Sequence, residues 1–208
     1  MLNLPDLTLS CFCTVDHAAA AYGFERSKRG INYRNHLVIT DRPEFFVTDD
    51  GKTTFVYHEP LKSYADGCIM HCTNSWNLVL PHMAQGLLAC QHDGFVLDPS
   101  LWEDEFLNYG FIGAPMFGHT VGNHGFCIFS REYFHALKAL NLPPTLEATY
   151  PNDQVICMRH GEEMRRLGCS FAPVDVANRF SQENILPVKG FGYHGRASAQ
   201  WLKDNGLF

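Results

Sequence analysis

The chain has 208 residues, 46% of them hydrophobic, enough for one well-packed domain without disulfides or a structural metal. Basic residues number 16 against 22 acidic ones, for a net charge of −6. The only basic run is Arg26-Ser27-Lys28-Arg29, which argues against a nucleic-acid footprint and in favour of small-molecule partners. No apolar stretch reaches the roughly 20 residues of a transmembrane segment, although peripheral membrane contact stays open.

Leu7 to Val15 reads as a first buried strand, and Asp16 as the N-cap of an Ala-rich helix from His17 to about Lys28. His36 to Thr40 is a second strand, closed by Asp41. Phe45-Phe46-Val47 and Thr54 to Tyr57 read as short strands about the turn Asp49-Asp50-Gly51. Trp76 to Gln85 is expected to be helical despite Pro81, and Leu87 to Gln91 to be a short buried strand. Asp98 caps a helix starting at Pro99, in which Trp102 and Phe106 share a buried face.

Gly125 to Phe129 is another apolar strand, and Ser130 caps a helix with Phe134, Leu137 and Leu140 inside. Pro151 opens the next helix, whose inner face is Cys157, His160, Met164 and Leu167. Ser170-Phe171-Ala172 reads as a last strand, followed by a glycine-rich loop from Gly190 and a helix around Ala197 to Lys203. This alternation predicts an α/β fold, with a mostly parallel sheet flanked by helices.

The eight cysteines are scattered, several in apolar strings such as Phe126-Cys127-Ile128-Phe129, and none has zinc-ribbon spacing. They read as free core thiols. With no secretory signal read at the amino terminus, a cytoplasmic location is expected.

Ligands of open α/β sheets bind beyond the carboxyl ends of the strands, so polar residues there carry the candidate chemistry. Asp93, after Leu87-Leu88-Ala89-Cys90, could bind a divalent cation, but on the local pattern alone Asp93-Gly94 reads first as a tight turn. Asp153 could be a general base, or only a first-turn acid favoured by the helix dipole. His194, among glycines, could ligate a metal or contact a phosphate, or simply be an exposed loop histidine. Asp16 and Asp41 could contact a nucleoside or serve as cap and turn. Asn123-His124-Gly125 reads as a turn feeding a strand. No Walker loop, Gly-x-Ser-x-Gly elbow or Gly-x-Gly-x-x-Gly fingerprint is present.

Taken in order, several blocks resemble a bacterial family of glycosyltransferase-like proteins catalogued as a domain of unknown function. They are Gln91-His92-Asp93-Gly94-Phe95, Val121-Gly122-Asn123-His124-Gly125-Phe126, Asn152-Asp153, Phe180-Ser181-x-Glu183 and Gly190-Phe191-Gly192-Tyr193-His194-Gly195. Thr14-Val15-Asp16 and Ile39-Thr40-Asp41 match more loosely. The resemblance implies a GT-A-like, Rossmann-like fold in a single compact domain, with a nucleotide-binding half over about residues 1–98 and an acceptor-binding half over about 99–208.

It further implies a donor site at Thr14, Asp16, Asp41, Gln91, Asp93, Asn123, His124 and Gly125. Asp93 and His194 would hold Mn2+ or Mg2+, and Asp153 would be the catalytic base. This chain departs from the family pattern at Asn152, where an acid is usual, at His124, where a second glycine is usual, and at Gly110, where an aspartate follows the tyrosine. The expected function is inverting transfer of a sugar from a nucleoside diphosphate, UDP being the expected nucleotide, to a glycan or other hydroxyl acceptor in surface-glycan synthesis. The alternatives are a nucleotide-sugar hydrolase and a non-catalytic nucleotide-sugar binding module.

Overall fold

The computed structural model describes the backbone of residues 1–46, 51–116, 120–143 and 151–206, with the side chains of all but 120 and 196–199. From Leu7 to Ser10 every residue of strand β1 (Leu2–Cys13) is buried, as a strand covered on both faces requires. The helix α1 (His17–Lys28) comes next, capped by Asp16, whose carboxylate accepts from the Ala19 N–H. The chain then forms β2 (Ile31–Thr40), β3 (Thr53–Tyr57), α2 (Tyr64–Val79), β4 (Gly86–Cys90) and β5 (Gly94–Val96).

The carboxy-terminal part adds β6 (Phe111–Gly113), β7 (Pro115–Met116), β8 (Thr120–Val121), β9 (Cys127–Ser130) and α3 (Arg131–Leu140). It continues with α4 (Gly161–Arg166), α5 (Val174–Phe180), β10 (Ser181–Glu183), β11 (Gly192–His194) and α6 (Arg196–Asp204). The six-stranded sheet has the order β3-β2-β1-β4-β9-β6. Its first four strands are parallel and β9 runs antiparallel to both neighbours. A mixed α/β architecture on a mostly parallel sheet is therefore present.

The chain winds outward from β1 through α1 to β2, then returns across the sheet through α2 to β4. Right-handed crossovers in opposite directions put α1 and α2 on opposite faces. On β2, His36 packs on Phe24 of α1, whereas Ile39, three residues on and so on the other face, lines the space under α2. The reversal lies between β1 and β4, the crevice where such sheets take ligands. One hydrophobic cluster extends from Leu4 to Leu202. All eight cysteines are free and buried, and no helix among the described residues is long and apolar enough to cross a membrane.

Several elements differ from the sequence expectation. The helix expected over Trp76 to Gln85 instead begins at Tyr64 under a Ser63 cap and ends at Val79, because Pro81 cannot continue it. The segment Pro43–Phe45 is a 3-10 turn rather than the start of a strand, since Pro43 favours a turn; Val47 and the expected Asp49-Asp50 turn lie outside the described residues. Asp98 does cap, but it opens two successive 3-10 turns, Pro99–Leu101 and Asp104–Asn108, across which Trp102 and Phe106 still pack edge to face. The helix expected after Pro151 is broken: a π-helical turn over Gln154–Arg159 ends at His160, and α4 begins at Gly161. The strand expected at Ser170 to Ala172 is a single bridge from Phe171 to Phe111.

Candidate functional site

Gln91-His92-Asp93-Gly94 is a tight turn that carries β4 into β5, closed by Gln91 N–H to Gly94 O at 2.8 Å. The turn and the site readings of this segment are compatible, because the turn aims Asp93 at the second, smaller sheet. That sheet has the order β10-β11-β5, and its register sets His194 opposite Gly94 on one side and opposite Glu183 on the other. The His194 ring therefore lies between two carboxylates. Its Nε2 is 3.5 Å from Asp93 Oδ1 and its Nδ1 is 3.5 Å from Glu183 Oε1, ion-pair distances rather than aligned hydrogen bonds.

Burial alone would lower the His194 pKa, but the Asp93 and Glu183 carboxylates outweigh it and raise the group to about 9. Burial pushes the Asp93 carboxyl upward, yet His194 and His92 hold it below its ordinary value. The ring reaches this position because Gly125 has no side chain: a Cβ there would overlap it. Glu183 is the member that reasoning from the sequence missed. It was visible only as the end of Phe180-Ser181-x-Glu183, and its role depends on a strand pairing between β10 and β11.

A cavity of about 850 Å³ opens at the carboxyl ends of β1 and β4 and runs between α2 and the sheet. Thr14, Asp16, Gln91, His124, Gly125, Asp153 and His194 line it. Asp41, Asn123 and Asp93 do not. His17 Nε2 lies 2.7 Å from Asp41 Oδ1 and holds the Asp41 carboxyl below its ordinary value. Asn123 turns its side-chain oxygen back to accept from the Gly125 N–H at 2.8 Å, which fixes the loop rather than facing the cavity.

Asp153 caps the π-helical turn, accepting from the Gln154 N–H at 2.7 Å. Burial, helped by the nearby Glu183, raises its carboxyl pKa despite that bond and despite His194. Beside it, Asn152 Nδ2 donates to His124 Nδ1 at 2.8 Å. That leaves Nε2 of the neutral ring as the protonated nitrogen, 3.5 Å from both Tyr133 Oη and Cys157 Sγ. Tyr133 Oη in turn lies 3.2 Å from His71 Nε2. Burial lowers the His71 pKa to about 4 and depresses His124 well below its ordinary value, so both rings are neutral at pH 7.

Residues 69–194 match the model of a protein family of unknown function, DUF5672. The chain belongs to this family. No curated protein matches the chain. The DUF5672 region begins within α2 and ends at His194, so it takes in Asp93, His124, Asp153, Glu183 and His194, whereas Thr14, Asp16 and Asp41 precede it. Among the described residues of this DUF5672 protein, no group of three or more His, Cys, Asp or Glu side chains is arranged to hold a metal ion. The two carboxylates meet different nitrogens of His194, so one cation could be shared by Asp93 and Nε2 but not by Glu183 as well.

Proposed function

We propose that this protein is a GT-A-like glycosyltransferase that moves a sugar from a nucleoside diphosphate, UDP being the expected nucleotide, to a hydroxyl acceptor. The observation that carries this reading is the placing of His194 between Asp93 and Glu183, beside Asp153, where the chain order reverses between β1 and β4. Nucleotide-binding α/β folds use that crevice, and the order β3-β2-β1-β4 supports the comparison. Thr14, Asp16 and Gln91 line its edge and would receive the nucleoside. Asp41 is left a supporting part, holding His17 at the start of α1.

A divalent cation, Mn2+ or Mg2+, would supply charge neutralisation for the diphosphate when bound. Asp93 Oδ1 suits it, being buried without a hydrogen-bond partner, and His194 Nε2 would be the second donor after losing its proton. Two protein donors are few for such a cation, but phosphate oxygens and water commonly complete its shell.

Asp153 would act as the base. Its raised pKa makes it a better proton acceptor than an ordinary carboxylate. As the acceptor oxygen bonds to the anomeric carbon, its proton passes to Asp153 and the bond from that carbon to the diphosphate breaks, with inversion. The neighbouring Asn152–His124 bond would hold this segment in place.

The test is product analysis with labelled UDP-sugars and a panel of hydroxyl acceptors. A glycoside should form, and Asp153→Asn should slow its formation by about a hundredfold or more. Free sugar as the sole product would identify a hydrolase. Binding without turnover would identify a non-catalytic module, a reading favoured by the Gln154 N–H bond that gives Asp153 a structural role of its own.

A further inference from the structure

The cavity continues well past its charged mouth. Phe12, Ile39, Ala89 and Phe129 of the sheet form its floor, and Met70, His71, Ser75 and Leu78 of α2 form its roof. No residue of this floor or roof carries a charge; the charged lining residues lie outside both, for Asp16 follows β1, Lys62 precedes α2, Asp153 precedes the π-helical turn and His194 ends β11. Farther in, the polar groups are uncharged. Ser75 Oγ donates to His71 O at 2.7 Å, and the rings of His71 and His124 are tied into the neutral chain through Tyr133.

A helix that covers a sheet normally fills the space beneath it, because protein interiors pack about as tightly as organic crystals. Here α2 leans on α3 and leaves a chamber walled mostly by apolar side chains, with uncharged polar groups between them. A ligand that suits both ends has a polar head for the rim and an uncharged, apolar body for the interior.

We propose that the chamber beneath α2 binds the alkyl part of an amphiphilic acceptor, whose hydroxyl head stays at the rim beside Asp153. That this amphiphile is the acceptor rests on the transferase reading; the affinity of the chamber for an alkyl chain does not. The fit comes from chemistry at both ends: a fully hydroxylated saccharide would leave most of its hydroxyls unpaired against Phe12, Ile39, Leu78 and Phe129. A second charged group would meet no counter-charge inside.

The test is calorimetric titration of the full chain with methyl, hexyl and octyl β-glucosides below their micelle concentrations, with UDP and Mn2+ titrated in parallel. Affinity should rise by about fourfold per methylene between hexyl and octyl, and methyl glucoside should bind far more weakly. Ala89→Phe on the floor and Ser75→Phe on the roof each shorten the chamber. In whichever of these variants still melts cooperatively, the dependence on chain length should disappear. Equal affinity for methyl and octyl glucoside, or an undiminished chain-length dependence in a folded variant, would overturn the proposal. Alkyl binding without UDP binding would instead overturn the transferase reading and leave the chamber assignment standing.

Discussion

His194 stands across the β5–β11 ladder from Gly94, and its Nε2 comes within 3.5 Å of Asp93 Oδ1. Residues a hundred positions apart are thus brought together by backbone register, with Glu183 closing the other side of the ring through β10. The ring lies flat against backbone that only glycine leaves free.

Gly125→Ala should therefore displace His194. The added methyl would overlap the imidazole, and the neighbouring main chain at Gly94 is also close, since a Cβ there would lie 2.9 Å from Gly125 O. Overpacking of this kind costs about 1–3 kcal/mol. Thermal melting should show a lower midpoint, and UDP binding should weaken about tenfold or more. An unchanged midpoint with unchanged binding would mean that the ring has somewhere else to go.

Glu183→Gln should lower the His194 pKa from about 9 by roughly one unit, read by NMR titration of the imidazole. The raised value also fixes a pH window. The stabilisation gained from the flanking carboxylates is complete below about pH 6.5, the ordinary histidine value, and is lost as pH rises through about 9. If Glu183→Gln left the value near 9, Asp93 alone would account for the shift.

His71 works in the opposite sense. Its folded pKa is depressed to about 4, so protons bind the unfolded chain first as the pH falls below about 6.5. Stability is complete above that value and is lost as pH falls towards 4. Between pH 7 and 4.5 the loss should be roughly 2 kcal/mol, after discounting for water in the cavity. Urea denaturation at the two pH values checks it against His71→Gln, in which the drop should shrink by about that amount.

His124→Ala would leave the Asn152 amide and the Tyr133 hydroxyl each short of a partner. The expected cost is about 1–3 kcal/mol in unfolding free energy. His124→Gln, which can still pair with Asn152, should recover part of it in the same denaturation measurement. Equal losses in both variants would show that packing, not the hydrogen bonds, is what His124 provides.

The parts of the fold legible in the sequence are those with strong local signals. Asp16 and Ser130 cap α1 and α3 as their sequences indicate, and the apolar run before Gln91 is β4. The start of α2 was hidden because Gly67, Thr73, Asn74 and Asn77 blur its apolar period. The smaller sheet was hidden for a different reason: β5, β10 and β11 have three residues each, too short for an alternation to register. So Asp93 and His194 could be named by their resemblance to a family, while Glu183 needed the strand pairing. Asn123 and Asp41 matched by order, but their side chains are spent on Gly125 N–H and His17.

The central claim is that Asp93 and His194 form the diphosphate end of a nucleotide-sugar site, and calorimetry tests it most directly. UDP titrated into the protein with Mn2+ should bind, and replacing Mn2+ by chelator, or Asp93 by Asn, should weaken binding about tenfold or more. Binding of equal strength in Mn2+, in chelator and in Asp93→Asn would contradict it.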